Sequence, residues 1–383
     1  MGLQVAVPKT EALFFYNRAS GAPPPTRIGV GGTSILVGDR LKYLGLLLDG
    51  MSGHSGIILM PLPPGWRVAA ALARLLPNLR GPEGRVRRMY MATVNSVALY
   101  GAPVWAADLA ARRQAKDRLR RMQRCMAARV IRAYRTVSHA AATVLAGWPP
   151  LERLASMYAE IYRREREVLG VTGRKLPPRA RKIIRIHARR SMMERWNDHL
   201  SDPRTASQTT VAAVRPCLSE WVDRAQGEVT FRLTQVLTGH GCFGKYLRQI
   251  NREPTTACHH CPVLCDTAQH TLEFCEAWCV QRRALRAVAG EDLSLPVLVA
   301  KMTGSEEVWR AVVTFCEEVV LQKETAERIR RQEIAAPPAP AEVAAAAAED
   351  SEEEGEPEDD GGSVSPPPSP LQLPRTEGAG GLR

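Results

Sequence analysis

Aromatic residues are scarce in this chain, 5% of 383 residues, and no apolar run approaches the roughly 20 residues that a membrane-spanning helix needs. Met1 to Val7 lacks the basic start and long apolar core of a signal peptide. An intracellular protein with no membrane partner is therefore expected. The nine cysteines are odd in number, and five of them fall between Cys258 and Cys279, which does not resemble the framework of a disulfide-stapled secreted domain. A reducing compartment follows. The glycines at 31 and 32 are not succeeded by Gly-Lys-Ser or Gly-Lys-Thr, so a phosphate-binding loop is excluded and hairpin turns explain them better. No internal repeat of solenoid period is present.

What the chain does have is positive charge. Its net charge of +12 hides an asymmetry, because residues 335 to 383 hold eleven Asp or Glu against two Arg. Taking these from the chain's 52 bases and 40 acids leaves fifty bases against twenty-nine acids, or +21, for residues 1 to 334. Such an excess repels itself unless a polyanion is nearby, and nucleic acid is the commonest one. An ordinary basic surface is the plainer alternative. The tail, with its Ala344 to Ala348 run, acidic Glu349 to Asp360 and Pro-Ser ending, has a composition that burial cannot stabilise and is expected to be disordered.

The pattern along the chain predicts a mainly α protein: a small strand-rich part, a helical bundle, a small cysteine-bearing unit and the disordered acidic tail. Residues 1 to 49 read as short strands over Leu13 to Tyr16, Ile28 to Val37 and Leu41 to Leu48. Residues 50 to 65 form a Gly- and Pro-rich loop. Residues 66 to 170 hold five candidate helices, Val68 to Leu76, Val86 to Leu99, Ala110 to Tyr134, Ser138 to Ala146 and Leu151 to Leu169, with Ser138 as an N-cap. Residues 171 to 213 read as a basic linker with one helix around Ile183 to Leu200, and residues 214 to 334 as the C-terminal unit.

Two segments carry chemistry. From Arg112 to Arg135 there are ten Arg or Lys and one acid, Asp117, while Leu119, Met122, Met126, Val130 and Tyr134 recur at helical spacing as one apolar stripe. The bases, among them Arg112, Arg113, Lys116, Arg120, Arg121 and Arg124, then cover the other faces. Phosphate oxygens would be their natural counter-charge; a solvated helix face is the alternative. Further on, Cys258, Cys261, His270 and Cys275 form a Cys-x2-Cys-x8-His-x4-Cys array. Two thiolates on a tight turn plus a His and a Cys about one helical turn apart can close a tetrahedral Zn²⁺ site with no open position, which makes it structural. Cys265, Cys279, His259 and His260 leave three-cysteine ligand sets open, and unpaired buried thiols are a further alternative.

Several stretches together resemble the C-terminal half of reverse transcriptases from arthropod non-LTR retrotransposons, especially those that insert into ribosomal RNA genes. The residues that carry this are Gly2-Leu3 to Lys9-Thr10-Glu11, Lys42-Tyr43-Leu44-Gly45 and Leu99-Tyr100-Gly101-Ala102-Pro103-Val104-Trp105, then Tyr134-Arg135-Thr136-Val137-Ser138 and the run from Asp266 to Glu273 with Cys275. The resemblance implies that residues 1 to 49 are a palm remnant, with Lys9 in a Lys-Thr-Glu motif that contacts nucleic acid and Lys42 to Gly45 as a primer grip. It implies a helical thumb over residues 66 to 170 and a zinc knuckle in residues 214 to 334 formed by Cys258, Cys261, His270 and Cys275. RNA and DNA would be the partners, together with the rest of the polymerase polypeptide, and the nucleus the compartment.

The chain departs from the family in two ways. The family's catalytic aspartates would lie upstream of Met1, and Asp359-Asp360 falls in the acidic tail, so no catalytic residue is assigned. The chain is expected to be inactive alone, with Mg²⁺ a cofactor only if an upstream palm completes it. Met51 to Pro61 reads as though locally frame-shifted, and the alanine-rich acidic tail is also foreign to the family. The leading expectation is a nucleic-acid-binding fragment of such an enzyme; the alternative is a domesticated or decayed interaction protein that recruits partners through its tail.

Overall fold

In a computed structural model of the chain, the described residues are 6–16, 21, 24–43, 46–50, 58–59 and 62–331. Gly2, Leu3, Leu44, Gly45, most of the 51–61 segment and the whole 335–383 tail lie outside them. The chain divides into two units, Met1–Glu327 and Arg328–Arg383.

Six short strands come first. β1 (Ala12–Leu13) runs parallel to β3 (Thr33–Gly38), which pairs antiparallel with β2 (Arg27–Val30) across a turn at Gly31 and Gly32. A second sheet joins β4 (Arg40–Tyr43), β5 (Leu46–Asp49) and β6 (Ile58–Leu59), all antiparallel. The β2–β3 hairpin follows from the alternating apolar pattern and the paired glycines at 31 and 32. They add little to the core: among the described side chains, only Leu46 and Leu48 pack against it, and partly.

The rest is helical, in accord with the mainly α expectation. The helices are α1 (Leu62–Arg74), α2 (Gly84–Ala98), α3 (Ala102–Ala111), α4 (Arg113–Val130), α5 (His139–Ala146), α6 (Leu151–Thr172), α7 (Pro178–Leu200), α8 (Gln208–Val214), α9 (Leu218–Asp223), α10 (Phe231–Thr238), α11 (Gly244–Gln249), α12 (Ala268–Glu273), α13 (Cys279–Ala289), α14 (Leu295–Gly304) and α15 (Glu306–Arg330). Ser138 caps α5 as expected, its hydroxyl accepting from the Ala141 N–H at 3.2 Å. No helix among the described residues is long and apolar enough to cross a membrane.

The long helix expected over Ala110 to Tyr134 is broken at both ends. Arg112 is extended, with φ −109° and ψ 100°, and separates α3 from α4. The break re-aims the apolar stripe, since a straight helix would carry Leu119 about 80° round from Leu109, and both are buried. α4 stops at Val130, and Arg132 turns the chain with φ 57°. α3 itself begins at the Gly101-Ala102-Pro103 run, with proline in the first turn and buried Trp105 donating its indole N–H to the Tyr100 carbonyl at 2.8 Å.

One continuous apolar core extends from Ala69 to Val320. Helices before and after the 171–213 segment share it. The Trp221 indole, on α9, donates to the Leu145 carbonyl of α5 at 3.2 Å, Arg132 pairs with Glu228, and Thr136 and Tyr246 share a hydrogen bond of 2.8 Å. The 171–213 segment itself is more ordered than its composition suggests, carrying α7 and most of α8.

Candidate metal centre

The loop before α12 and the turn after it bring four side chains together. The Cys258 N–H donates to the Val263 carbonyl at 2.9 Å, closing a tight turn that holds Cys258 and Cys261 on one side. The Thr267 hydroxyl caps α12 by accepting from the His270 N–H at 3.0 Å, which fixes His270 in the first turn. The Cys275 N–H reaches back to the His270 carbonyl at 2.8 Å, so the thiol returns to the histidine it follows.

The Sγ atoms of Cys258, Cys261 and Cys275 and a ring nitrogen of His270 lie within 4.8 Å of one another. Cys258 and Cys275 are 4.0 Å apart through their sulfurs, and Cys261 Sγ is 3.3 Å from His270 Nε2. In a tetrahedral site with metal–sulfur bonds near 2.3 Å, the ligand atoms would be spaced roughly 3.5 to 3.8 Å apart. The set therefore fits such an ion closely and fills all four positions. Three of the four residues are buried. Burial raises the Cys258 thiol above its ordinary range and pushes Cys275 up to about 12, so without a metal both carry their protons. A bound cation would displace those protons and stabilise the thiolates.

Behind the four lies a support that sequence reasoning did not find. His270 Nδ1 is 3.2 Å from an Asp266 carboxylate oxygen, which leaves Nε2 facing the cysteines. Asp266 is buried and also accepts from the Gly244 N–H at 3.1 Å, the Thr271 hydroxyl at 3.3 Å and Lys323 Nζ of α15 at 2.8 Å. Gly244 has no room for a side chain, because an added Cβ would lie 2.5 Å from the Thr256 carbonyl oxygen. Arg282, buried on α13, clamps the returning turn by donating to the carbonyls of Leu272 at 3.0 Å and Cys275 at 2.5 Å. A carboxylate holding the far nitrogen of a ligand histidine sets its tautomer and ring orientation.

The other candidates at this end go elsewhere. Cys265 and Cys279 are exposed and outside the four-residue group, His259 pairs with Glu253 at 3.3 Å, and His260 packs on Trp278 with ring centres 4.9 Å apart.

Comparison with known proteins gives two relatives. Over 262 residues the chain is 27% identical to the 115 kDa protein of type-1 retrotransposable element R1DM of Drosophila melanogaster, covering 67% of this chain and 25% of that protein. Over 304 residues it is 24% identical to a retrovirus-related Pol polyprotein from type-1 retrotransposable element R1 4 of Nasonia vitripennis, covering 76% of this chain and 74% of that one. The chain is a relative of arthropod R1-type non-LTR retrotransposon proteins. It spans about a quarter of the length of the Drosophila R1 protein. No family model and no solved structure matches it.

The basic positions of this R1 relative are scattered. Lys9 is exposed at the end of a 3-10 turn beside the first sheet. On α4 and at its start, Arg112, Arg113, Arg121 and Arg124 are exposed and Lys116 is half-buried. Arg113 approaches Asp117 at 3.9 Å, Lys116 donates to the Ala110 carbonyl at 2.9 Å and Arg124 to the Arg135 carbonyl at 2.6 Å. Arg120 differs: it is paired with Glu152 of α6 at 2.7 Å, an acid that the local charge count left out. The apolar stripe is as expected for Leu119, Met122, Met126 and Val130, all buried, whereas Tyr134 lies beyond the helix end. Gln123, on the same face, is buried as well. Its amide donates to the Pro149 carbonyl at 2.8 Å, and its oxygen accepts from the Leu151 N–H at 3.1 Å, fixing the start of α6.

Proposed function

We propose that this chain is a nucleic-acid-binding part of an R1-type reverse transcriptase polyprotein whose C-terminal end is folded around one structural Zn²⁺. What supports the reading most is the closed set of Cys258, Cys261, His270 and Cys275, oriented by the buried Asp266 and Lys323, in a chain whose first 334 residues carry +21. Zinc fits the three-thiolate, one-imidazole donor set better than the harder divalent cations do. The ion would stabilise the fold of the turns at 258–261 and 270–275 and supply no chemistry beyond that, since no position is left for water.

RNA and DNA are the partners that the charge fits, with Arg112, Arg113, Lys116, Arg121 and Arg124 of the α4 region and Lys9 as phosphate contacts. The nucleus is the compartment that such a role requires. The chain has no Asp-Asp pair other than Asp359-Asp360, and we assign it no nucleotidyl transfer of its own.

Binding of the full chain to a fluorescent RNA and to duplex DNA, measured across salt concentrations with zinc loaded and after chelation, tests the reading. Affinity should fall with salt at roughly 0.7 to 0.9 in the log–log slope for each phosphate contact, and chelation should weaken it. Affinity that is independent of salt, or absent with zinc loaded, contradicts the proposal.

A further inference from the structure

Residues 173 to 190 contain eight Lys or Arg and no acid, and most of them lie in α7, which starts five residues before the helix expected around Ile183 to Leu200. α6 and α7 form an antiparallel helical pair whose outer ends leave the core. α6 buries Leu151, Leu154, Ala155 and Met157, and α7 buries residues only from Ala188 onward. From Tyr158 to His187 no residue is buried. Ala159 and Ile161 are the last residues of α6 that pack, partly, against the core, so beyond them the pair gains less from packing and relies more on helix propensity and ion pairs.

Those ion pairs use up the acids. On α6, Glu152 holds Arg120, Glu160 holds Arg164 and Arg195, Glu165 holds Arg181 and Glu167 holds Arg163, at 2.7 to 3.5 Å. These are all the acids of α6. The inward side of α7 is marked by Arg181, Ile184 and Ala188, each at least half-buried, which point toward α6. On the opposite side, Arg179, Lys182, Ile183, Ile186 and Arg190 share a face about 100° wide at 100° per residue, and all five are exposed. The side chains of Arg179, Lys182 and Arg190 make no ion pair or hydrogen bond among the described residues, whereas Arg181 and Arg189 are paired with Glu165 and Asp223. The three cations span about 16 Å along the helix, long enough to meet two or three phosphates of one strand.

We infer that the outer face of α7 is the principal phosphate-backbone contact of this chain. This rests on the nucleic-acid reading above. Three uncompensated cations in a row on one exposed helix face suit an anion of repeating charge, and the backbone of RNA or duplex DNA has that form. Ile183 and Ile186, half-exposed between the cations, would lie against the sugars.

The test uses the full zinc-loaded chain and its Arg179→Gln/Lys182→Gln/Arg190→Gln variant, with Arg204→Gln/Arg215→Gln/Arg310→Gln as a control of equal charge loss at exposed positions elsewhere. All three proteins should show the same thermal unfolding, since the replaced side chains are exposed. The α7 variant should lose about 10- to 100-fold in affinity for RNA and for duplex DNA near 0.15 M salt, and its log–log salt slope should fall by about 2 to 3. The control should stay within about threefold of the parent, with its slope nearly unchanged. If the parent binds and the α7 variant keeps both affinity and slope, the assignment to α7 is overturned while the nucleic-acid reading stands. If the parent binds neither polymer, both fall. Binding of the parent to vesicles of anionic phospholipid that is lost in the α7 variant, with nucleic-acid binding unaffected, would assign the face to a membrane surface and equally overturn the inference.

Discussion

Asp266 and Lys323 carry more of the metal centre than their sequence positions suggest. Both are buried, and removing one leaves the other without a counter-charge: Lys323→Met should cost about 3 to 5 kcal/mol of stability in chemical denaturation, whether or not metal is bound. Asp266→Asn strands the buried Lys323 ammonium and should cost stability to a similar extent. It should in addition weaken zinc about 10- to 100-fold in competition with a chromophoric chelator, because His270 loses the carboxylate that orients it. Unchanged zinc affinity would show that the Asp266–His270 contact is incidental. His139 gives a pH dependence of its own. Burial depresses its pKa to about 4, and its Nε2 faces the Gln123 oxygen at 3.0 Å, so the folded state keeps it neutral. The unfolded chain takes up a proton there below about 6.5, so the folded state loses stability as pH falls from about 6.5 and levels off near 4. The loss at this site should be on the order of 3 kcal/mol, and His139→Gln should abolish it. A variant with the same pH profile as the parent would refute this. The four candidate ligands were legible because metal spacing is local. Lys323 was not, since it meets Asp266 across 57 positions that no pattern connects.

At the scale of elements, what could be read depended on how much of each helix faces the core. α5 and α6 follow their apolar spacing and caps, and so does the C-terminal half of α7, where Ala188, Met192, Trp196 and Leu200 are buried at steps of four. The half of α7 before Ala188 has only Ile184 as a large apolar residue on its inward side, too little for a stripe to be read, and its run of bases resembles a linker although Pro178 opens a regular helix there. The break at Arg112 was hidden for a related reason: helical periodicity persists across it while the buried face turns. Gly101 and Trp105 show what fixes α3. Gly101 has φ 64°, and an added Cβ would lie 2.8 Å from Leu46, so Gly101→Ala should cost about 1 to 3 kcal/mol. Trp105→Ala should cost about 3 to 5 kcal/mol, whereas Leu46→Ala, on the half-buried second sheet, should cost about 1 kcal/mol. Denaturant midpoints would rank the three, and a Leu46 effect as large as that of Trp105 would mean the strands belong to the core after all.

Across the whole molecule, the core that joins the helices on both sides of residues 171 to 213 was invisible in the sequence. Its bonds link residues 76 to 110 positions apart, as Trp221 and Leu145, Arg132 and Glu228, and Thr136 and Tyr246 do. The charge distribution, by contrast, needed no structure. If the first 334 residues bind nucleic acid, the eleven acids of residues 335 to 383 compete as a tethered polyanion, and deleting that tail should tighten RNA binding several-fold at low salt and by less at high salt. Weaker binding after deletion would instead make the tail part of the contact. The C-terminal fold and its role centre on one ion held by four side chains, so the decisive measurement is the metal content of the purified full chain and of single-ligand variants. One equivalent of zinc that disappears in Cys261→Ser and in His270→Ala, yet persists in Cys265→Ser and in Cys279→Ser, is the predicted result. Zinc retained in His270→Ala and lost in Cys265→Ser would contradict it and assign the ion to a three-cysteine set.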